Sequence, residues 1–219
     1  MSTISIARSE CTAIPSVRTR VEVPMTLEDG VSVPAEIITF HGLGDGKEHF
    51  AVKLGRPSTT APLVRLHSEC ITGDVFGSAR CDCGPQLREA MGKLHQQGGY
   101  LLYLRQEGRG IGLYRKLEAY RLQDRGYDTY AANRALGHRD DERDYGSAAD
   151  MLVALGLDRI TLLSNNPDKR AQLQSAGIQV ETQVPTGVFV KTQNRRYLEA
   201  KVRHTQHTIQ LTSLLEAST

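Results

Sequence analysis

Short apolar strands alternate with amphipathic helices along most of the chain, and this alternation restricts the possible folds more than any other feature. The predicted strands cover two segments within residues 17–43, then 50–54, 63–69, 100–104, 160–163 and 178–184; the predicted helices cover 84–97, 111–125, 145–155 and 165–177. Such alternation indicates an α/β fold. The turn signal Glu28-Asp29-Gly30 adds an N-terminal β-hairpin region. We therefore predict a layered α/β/α core around a mixed sheet.

Length fits one large domain or two small ones, and composition favours a reducing compartment. The chain has 219 residues, a net charge of +2 and four cysteines. This charge gives no argument for nucleic acid or a membrane as a partner, and no apolar run has the length of a membrane helix. So few cysteines do not make a disulfide scaffold, which favours a cytoplasmic protein. We predict a flexible tail at residues 1–16, with Cys11 as a free thiol, and a helical stretch from Asn194.

Three of the cysteines have the spacing of a metal site. Cys70, Cys81 and Cys83 form a C-x10-C-x-C pattern. Structural zinc usually has four protein ligands, whereas catalytic zinc has three and an open position for water. The pattern therefore favours hydrolytic chemistry. The alternative is that these thiols are ordinary small core residues.

The strand before the first of these cysteines carries titratable side chains. Alternation along residues 63–69 places Arg65, His67 and Glu69 on one face and Val64, Leu66 and Ser68 on the other. This pattern predicts a functional face beside the cysteines. A solvated edge strand is the alternative.

Two further segments suit an anion. The loop at residues 105–110 follows a strand and precedes a helix, and it carries Arg105 and Arg109 among glycines. Asn165-Asn166-Pro167 opens a second helix of this kind. The acidic run at 140–144 fits a solvated loop or the start of a helix. Together with the cysteines, these features predict a polyphosphate substrate whose ring is hydrolysed at a metal.

Six motifs, in this order, resemble the GTP cyclohydrolase II family. They are residues 64–74 (VRLHSECITGD), 80–84 (RCDCG), 105–113 (RQEGRGIGL), 126–129 (GYDT), 141–145 (DERDY) and 165–167 (NNP). The resemblance runs from about residue 63 to 184, with a weaker echo at 197–201. It implies one GTP cyclohydrolase II-like catalytic domain at residues 17–219. It also implies conversion of GTP to 2,5-diamino-6-ribosylamino-4(3H)-pyrimidinone 5′-phosphate, formate and pyrophosphate, the first step of riboflavin synthesis.

The resemblance assigns the metal and substrate residues. It implies that Cys70, Cys81 and Cys83 hold one Zn²⁺, whose bound water attacks C8 of guanine. Mg²⁺ would accompany the polyphosphate. The GTP-binding residues would be Arg65, Leu66, His67, Ser68, Glu69, Gln86, Glu107, Gly108, Arg109, Thr129, Ser164 and Lys169, with Lys169 serving the phosphates. Ser164 stands where many relatives have Thr, and the stretch 186–193 carries no assigned site.

The resemblance also names three catalytic residues. Tyr120 would act at the ring-opening centre, although Leu113, Leu117 and Tyr120 share one helical face and could be simple core. Arg143 would take the α-phosphate as a nucleophile, with Asp141 as its proton acceptor. Because a guanidinium is almost always protonated, the alternative is that Arg143 stabilises phosphate charge electrostatically.

Two other functions stay open at this stage. Some relatives stop after ring opening and keep the formyl group, and the presence of Tyr120 favours the full reaction. A zinc-stabilised module that binds a nucleotide or RNA without turnover would need a fourth protein ligand, for which His67 is the candidate. The family implies a homodimer.

Overall fold

The computed structural model describes residues 14–195, 197 and 198. The strands are β1 (Ser16–Glu22), β2 (Met25–Thr26), β3 (Ser32–Val33), β4 (Ala35–His41), β5 (Phe50–Leu54), β6 (Leu63–Ser68), β7 (Gly99–Leu104), β8 (Arg159–Leu163) and β9 (Gln179–Val184). The helices are α1 (Ile71–Asp74), α2 (Cys83–Gln97), α3 (Leu113–Gln123), α4 (Thr129–Ala135), α5 (Gly146–Ala154) and α6 (Pro167–Ser175). A short 3₁₀ turn spans Glu107–Gly110.

One mixed sheet of seven strands organises the molecule, in the order β1-β4-β5-β7-β6-β8-β9. The pairs from β1 to β7 are antiparallel, and those from β7 through β6 and β8 to β9 are parallel. The small β2–β3 hairpin flanks the predicted turn at Glu28-Asp29-Gly30. The predicted α/β fold with a mixed sheet and an N-terminal hairpin region is confirmed.

Apolar side chains cover both faces of this sheet. On one face Leu66 and Leu102 pack with Leu152 of α5 and Leu173 of α6. On the other face Leu101 joins the stripe of α2 that includes Ala90 and Leu94. Successive side chains along a strand point to opposite faces, which is why the neighbours Leu101 and Leu102 belong to different clusters. The sheet thus lies between α5 and α6 on one face and α2 on the other, which gives the three layers of the predicted α/β/α core.

Strand β6 lies in the interior of the sheet, between β7 and β8. Arg65 and His67 are buried in it, so the alternative of a solvated edge strand is wrong. Its parallel neighbours end at the same edge of the sheet, where loops that follow parallel strands commonly bind ligands. Residues after β6, β7 and β8 therefore meet at one place.

The region between β7 and α5 departs most from the sequence prediction. Gly108 and Arg109 have left-handed backbone angles (φ of 63° and 62°), so the 3₁₀ turn ends in a tight loop and α3 begins two residues later than predicted. Residues 127–136, which had no assignment, contain α4. The side chain of Asp128 accepts hydrogen bonds from Tyr130 N and Ala131 N and so caps this helix.

Part of the sequence prediction lies outside the described residues. This applies to most of the tail at 1–16, to Cys11, to most of the helical stretch from Asn194 and to residues 199–201 of the weaker echo. Within the described part of the chain, no helix has both the length and the apolar character needed to cross a membrane.

Candidate active site

A deep cleft opens where β6, β7 and β8 end, bounded by the start of α2 and by α3, α4 and α6. It holds about 1160 Å³ of empty space, including solvent at its mouth. Its walls carry all three predicted metal ligands and most of the predicted substrate and catalytic residues. The lining is formed by Arg65, His67, Ser68, Glu69, Cys70, Arg80, Cys81, Cys83, Gln86, Gln106, Glu107, Gly108, Arg109, Ile111, Lys116, Ala119, Tyr120, Gln123, Thr129, Tyr130, Asn133, Arg143, Ser164, Asn165, Asn166, Lys169, Thr186 and Tyr197.

The three cysteines converge in the wall of this cleft. Their sulfur atoms all lie within 4.8 Å of one another, and those of Cys70 and Cys81 are 3.6 Å apart. Two sulfurs at about 2.3 Å from a tetrahedral zinc would lie roughly 3.8 Å apart, so the spacing fits a shared ion. Soft thiolate donors also favour zinc over magnesium or calcium. The donor set therefore fits a three-thiolate zinc site.

The thiols strongly affect one another. Hydrogen bonding from Cys81 and Cys83 lowers the pKa of Cys70 well below its usual range. The contact with Cys70 raises the pKa of Cys81 to about 11. A divalent cation would favour the deprotonated form of all three thiols.

Within the described part of the chain, no further His, Cys, Asp or Glu joins the cluster as a candidate ligand. His67 is held elsewhere: its Nε2 lies 3.1 Å from both carboxylate oxygens of Asp74. Burial lowers its pKa, so the ring is neutral. Asp74 also accepts hydrogen bonds from Tyr103 Oη at 2.9 Å and from Cys70 N at 3.0 Å. The fourth ligand that a closed structural site needs is missing from the described residues.

A buried lysine contacts the cysteine cluster. Lys116 Nζ donates to Cys70 Sγ at 3.1 Å, to Thr72 Oγ1 at 2.8 Å and to Glu107 Oε1 at 2.7 Å. Burial alone would lower the pKa of Lys116, but the charges of Cys70 and Glu107 outweigh it and raise that pKa. The other oxygen of Glu107 accepts from Ile71 N at 2.7 Å. Both carboxylate oxygens of this predicted substrate residue thus have partners within the protein.

Arg65 and Gln86 form one connected wall of the cleft. Arg65 Nη1 donates to Leu163 O at 3.2 Å and Nη2 donates to Gln86 Oε1 at 3.0 Å. Gln86 Nε2 in turn donates to Asp82 Oδ2 at 2.7 Å, which ties the wall to the loop between Cys81 and Cys83. Arg65 Nε is buried and has no partner within the described structure, so it can serve a ligand.

Arg109 occupies the opposite side of the cleft. Its backbone has a left-handed conformation (φ 62°), which is strained for a residue with a side chain. Its guanidinium lies 4.4 Å from the ring centre of Tyr130, the residue after Thr129 in α4. Nη1 is buried without a hydrogen-bond partner among the described residues. The loop at residues 105–110 therefore places the charged side chain of Arg109 at the cleft, and the strained backbone of Arg109 costs conformational energy.

Arg143 lies in the cleft with Asp141 behind it. Arg143 Nε donates to Asp141 Oδ1 at 2.9 Å and Nη2 donates to Oδ2, which makes a bidentate pair. Burial alone would lower the pKa of Arg143, but the charges of Tyr145 and Asp141 outweigh it and raise that pKa. Asp141 does not itself line the cleft. The pair holds the guanidinium in its charged form.

The start of α6 closes the remaining wall. Ser164 Oγ accepts from Asn166 N at 3.0 Å, and Asn166 caps the helix by accepting from Asp168 N at 2.9 Å. Lys169 Nζ donates to Leu66 O at 2.7 Å. The Leu66 side chain itself is buried in the core, so only its backbone carbonyl takes part.

Tyr120 faces the cleft from α3. Arg80 Cζ lies 4.5 Å from its ring centre, and Lys116 Nζ lies 5.7 Å from it. Burial raises the pKa of Tyr120. Leu117 is 43 % exposed, so the helical face that these residues were predicted to share is not simple core.

The sequence did not indicate several residues that also line the cleft: Arg80, Gln106, Lys116, Tyr130, Asn133, Thr186 and Tyr197. One of them had a usable signal. Lys116 lies one helical turn before Tyr120, a spacing that places both on one face. Thr186 was in a stretch without an assigned site, yet its N–H donates to Asn165 Oδ1 at 3.0 Å and its carbonyl accepts from Asn165 Nδ2 at 2.8 Å.

Comparison with known proteins identifies the family of this chain. The family model for GTP cyclohydrolase II matches residues 19–185. The chain belongs to the GTP cyclohydrolase II family. It is 52 % identical over 197 residues to the GTP cyclohydrolase-2 of Vibrio cholerae, covering 89 % of this chain and 98 % of that protein. It is 47 % identical over 195 residues to the GTP cyclohydrolase-2 of Psychromonas ingrahamii, covering 87 % and 98 %.

A longer relative also matches. The riboflavin biosynthesis protein RibBA of Bacillus cereus is 49 % identical over 197 residues, which are 87 % of this chain and 50 % of that protein. These comparisons confirm the resemblance that the six motifs indicated. Because the family is one of enzymes, the chain is an enzyme of the GTP cyclohydrolase II family. A binding module without turnover is therefore excluded.

Proposed function

We propose that this enzyme hydrolyses GTP at a zinc ion and yields formate, pyrophosphate and 2,5-diamino-6-ribosylamino-4(3H)-pyrimidinone 5′-phosphate, as the first step of riboflavin synthesis. The observation that carries the proposal is the placement of three convergent thiols and several cationic side chains on the walls of one cleft. The relatives support the same substrate and pathway, since one is a GTP cyclohydrolase-2 and another a riboflavin biosynthesis protein.

The cysteine end of the cleft would take the guanine ring. Cys70, Cys81 and Cys83 would hold zinc, which supplies Lewis-acid activation of water for opening the ring at C8. The unpartnered Arg65 Nε is a hydrogen-bond donor available to the substrate on this side. Because His67 is neutral and fixed by Asp74, it adds no positive charge beside a metal ion.

The other end of the cleft would take the polyphosphate. Lys169 and the N-terminal end of the α6 dipole supply positive charge that suits phosphate oxygens. Mg²⁺ would accompany the polyphosphate and would supply neutralisation of the charge that develops as pyrophosphate leaves. Together these groups would hold the substrate with its base towards the cysteines.

We propose that Arg143 acts by electrostatic stabilisation. A guanidinium that is paired bidentately with Asp141 and has a raised pKa resists the deprotonation that a nucleophile requires. Asp141 would then position Arg143 rather than accept its proton. Intact-protein mass spectrometry after quenching with denaturant at neutral to alkaline pH, where a phosphoramidate survives, tests this: we expect no guanosine-phosphate adduct, whereas an adduct that Arg143→Lys abolishes would establish the covalent route.

Tyr120 would serve at the ring-opening centre, which favours completion of both hydrolytic steps. Product analysis distinguishes the two outcomes. Zinc-loaded protein with GTP and Mg²⁺ should yield formate, pyrophosphate and the diaminopyrimidine by mass spectrometry. A product that keeps the formyl group would restrict the activity to ring opening. Unchanged GTP from folded, zinc-replete protein would contradict the proposal.

A matched pair of cysteine variants makes this assay specific. Cys81→Ser removes one proposed metal ligand and should abolish formate release, whereas Cys11→Ser, which alters the cysteine outside the cluster, should retain it. If both variants retained activity, the cysteine cluster would not be the metal site.

The family resemblance also leads us to propose a homodimer, which sedimentation equilibrium tests.

A further inference from the structure

The ammonium group of Lys116 contacts the sulfur of a proposed metal ligand, although Lys116 has no assigned part in the reaction. Its Nζ donates to Cys70 Sγ at 3.1 Å, and its side chain is 10 % exposed. Burying a charged lysine is costly unless it is paired and hydrogen-bonded. All three of its donors have acceptors here, namely Cys70, Thr72 and Glu107. Such an arrangement fixes the ammonium at the sulfur.

Glu107 holds this lysine against the cysteine loop. Its Oε1 accepts from Lys116 Nζ at 2.7 Å and from Gly108 N at 2.9 Å. Its Oε2 accepts from the backbone N–H of Ile71, the residue after Cys70, at 2.7 Å. One carboxylate thus connects α3, the 3₁₀ turn and the segment that carries the first metal ligand. These internal bonds suit positioning better than contact with a substrate.

The charge of the site gives this contact a chemical consequence. Three thiolates and one divalent ion leave a net negative charge, which the ammonium of Lys116 neutralises. A hydrogen bond to a ligating sulfur also withdraws electron density from it, so that the metal becomes a stronger Lewis acid. Such outer partners commonly change metal affinity or activity by roughly 10–100-fold when they are removed.

We propose that Lys116, held by Glu107 and Thr72, is a positioning residue of the metal site: its ammonium donates a hydrogen bond to Cys70 Sγ, neutralises the three-thiolate centre and reduces the electron donation of that sulfur to the metal. This inference rests on the proposed function, because it requires that the three cysteines bind a metal. Lys116 acts through Cys70 and not on GTP.

Cobalt provides a spectroscopic test that does not depend on turnover. Co²⁺ bound to thiolates gives a sulfur-to-metal charge-transfer band in the near ultraviolet. Loss of the hydrogen bond makes the sulfur a better donor, so the band of Lys116→Met should move to longer wavelength than that of the wild type. With zinc restored, kcat should fall by roughly 10–100-fold while KM for GTP changes little.

Two further variants keep the result interpretable. Lys47→Met removes a lysine outside the cleft, whose Nζ lies 3.7 Å from Asp45, and should leave the band and kcat unchanged. The double variant Lys116→Met/Glu107→Gln removes both buried charges together, so no carboxylate is left unpaired if the single variant fails to fold. Its band should show the same shift.

Each outcome decides one claim. A wild-type protein without a cobalt–thiolate band would overturn the metal site and, with it, this inference. A normal wild-type band that is unchanged in folded Lys116 variants would overturn the role of Lys116 alone. A shifted band with unchanged kcat would show that the contact exists but does not act on the reaction, which would also overturn the proposal.

Discussion

Gly73 provides a direct test of the cysteine cluster because of the space around it. A Cβ at this position would lie 2.8 Å from Cys81 Sγ, 3.1 Å from Cys70 Sγ and 3.1 Å from Cys83 Cβ. Ordinary contact begins at 3.4 Å, so in Gly73→Ala the Cys81 sulfur must move by about 0.6 Å. Metal–ligand distances tolerate deviations of only about 0.2 Å. The substitution should therefore displace one sulfur from the metal.

The expected loss follows from the energy of one ligand. Structural zinc sites with four ligands bind with roughly 10–16 kcal/mol, which is roughly 3 kcal/mol per ligand. Each 1.4 kcal/mol corresponds to about tenfold in affinity, so Gly73→Ala should weaken zinc binding on the order of 100-fold. Competition with a chelator of known affinity measures this change, and urea unfolding of the metal-free protein measures the stability of the fold.

Gly92→Ala is the matched control. Gly92 lies within α2, and a Cβ there would meet no atom within 4 Å. Replacing a helical glycine by alanine stabilises by roughly 0.5–1 kcal/mol. Gly92→Ala should therefore show slightly higher stability and unchanged zinc affinity. If Gly73→Ala bound zinc as tightly as the wild type, the arrangement of sulfurs around Gly73 would not be the metal site.

Three other predictions concern the core, the half-buried Asp141–Arg143 ion pair and the wall beside α6. Leu102→Ala, at a fully buried position, should lower the free energy of unfolding by about 2–5 kcal/mol in urea titrations. Burial alone would raise the pKa of Asp141, but the hydrogen bonds and charge of Arg143 outweigh burial and lower that pKa. The ionised Asp141 therefore stabilises the folded protein above pH ~4, and this contribution is lost on further acidification. The stability difference between wild type and Asp141→Asn should accordingly shrink below that pH. Thr186→Pro, which removes the N–H that donates to Asn165, should raise KM for GTP.

The sequence predicted the parts of the molecule that depend on local pattern. The strands and helices around β6 and α2 follow from apolar periodicity, and the spacing of Cys70, Cys81 and Cys83 predicted a group of thiols that the structure brings together. The interior position of β6 was not predicted, because its alternating charged and apolar residues also fit a solvated edge strand, whereas strands buried on both faces usually have continuous apolar runs.

The parts of the fold and of the site that the sequence did not predict depend mostly on contacts between distant segments. The helix α4 was missed because residues 127–136 have no clear apolar period, and only the cap at Asp128 marks the start. Lys116 was missed because a lysine on an amphipathic helix is usually solvated, and only its pairing with Glu107 and Cys70 explains its burial. Thr186 contacts Asn165 across 21 residues of sequence, a pairing that no local pattern indicates.

Release of formate from GTP that is isotopically labelled at C8 tests the central claim most directly. One preparation of folded protein is stripped of metal, divided, and assayed with and without added zinc in the presence of Mg²⁺. We expect labelled formate only from the zinc-restored half, because ring opening at C8 requires the metal held by the three cysteines. Equal release from both halves, or none from the zinc-replete protein, would contradict this account.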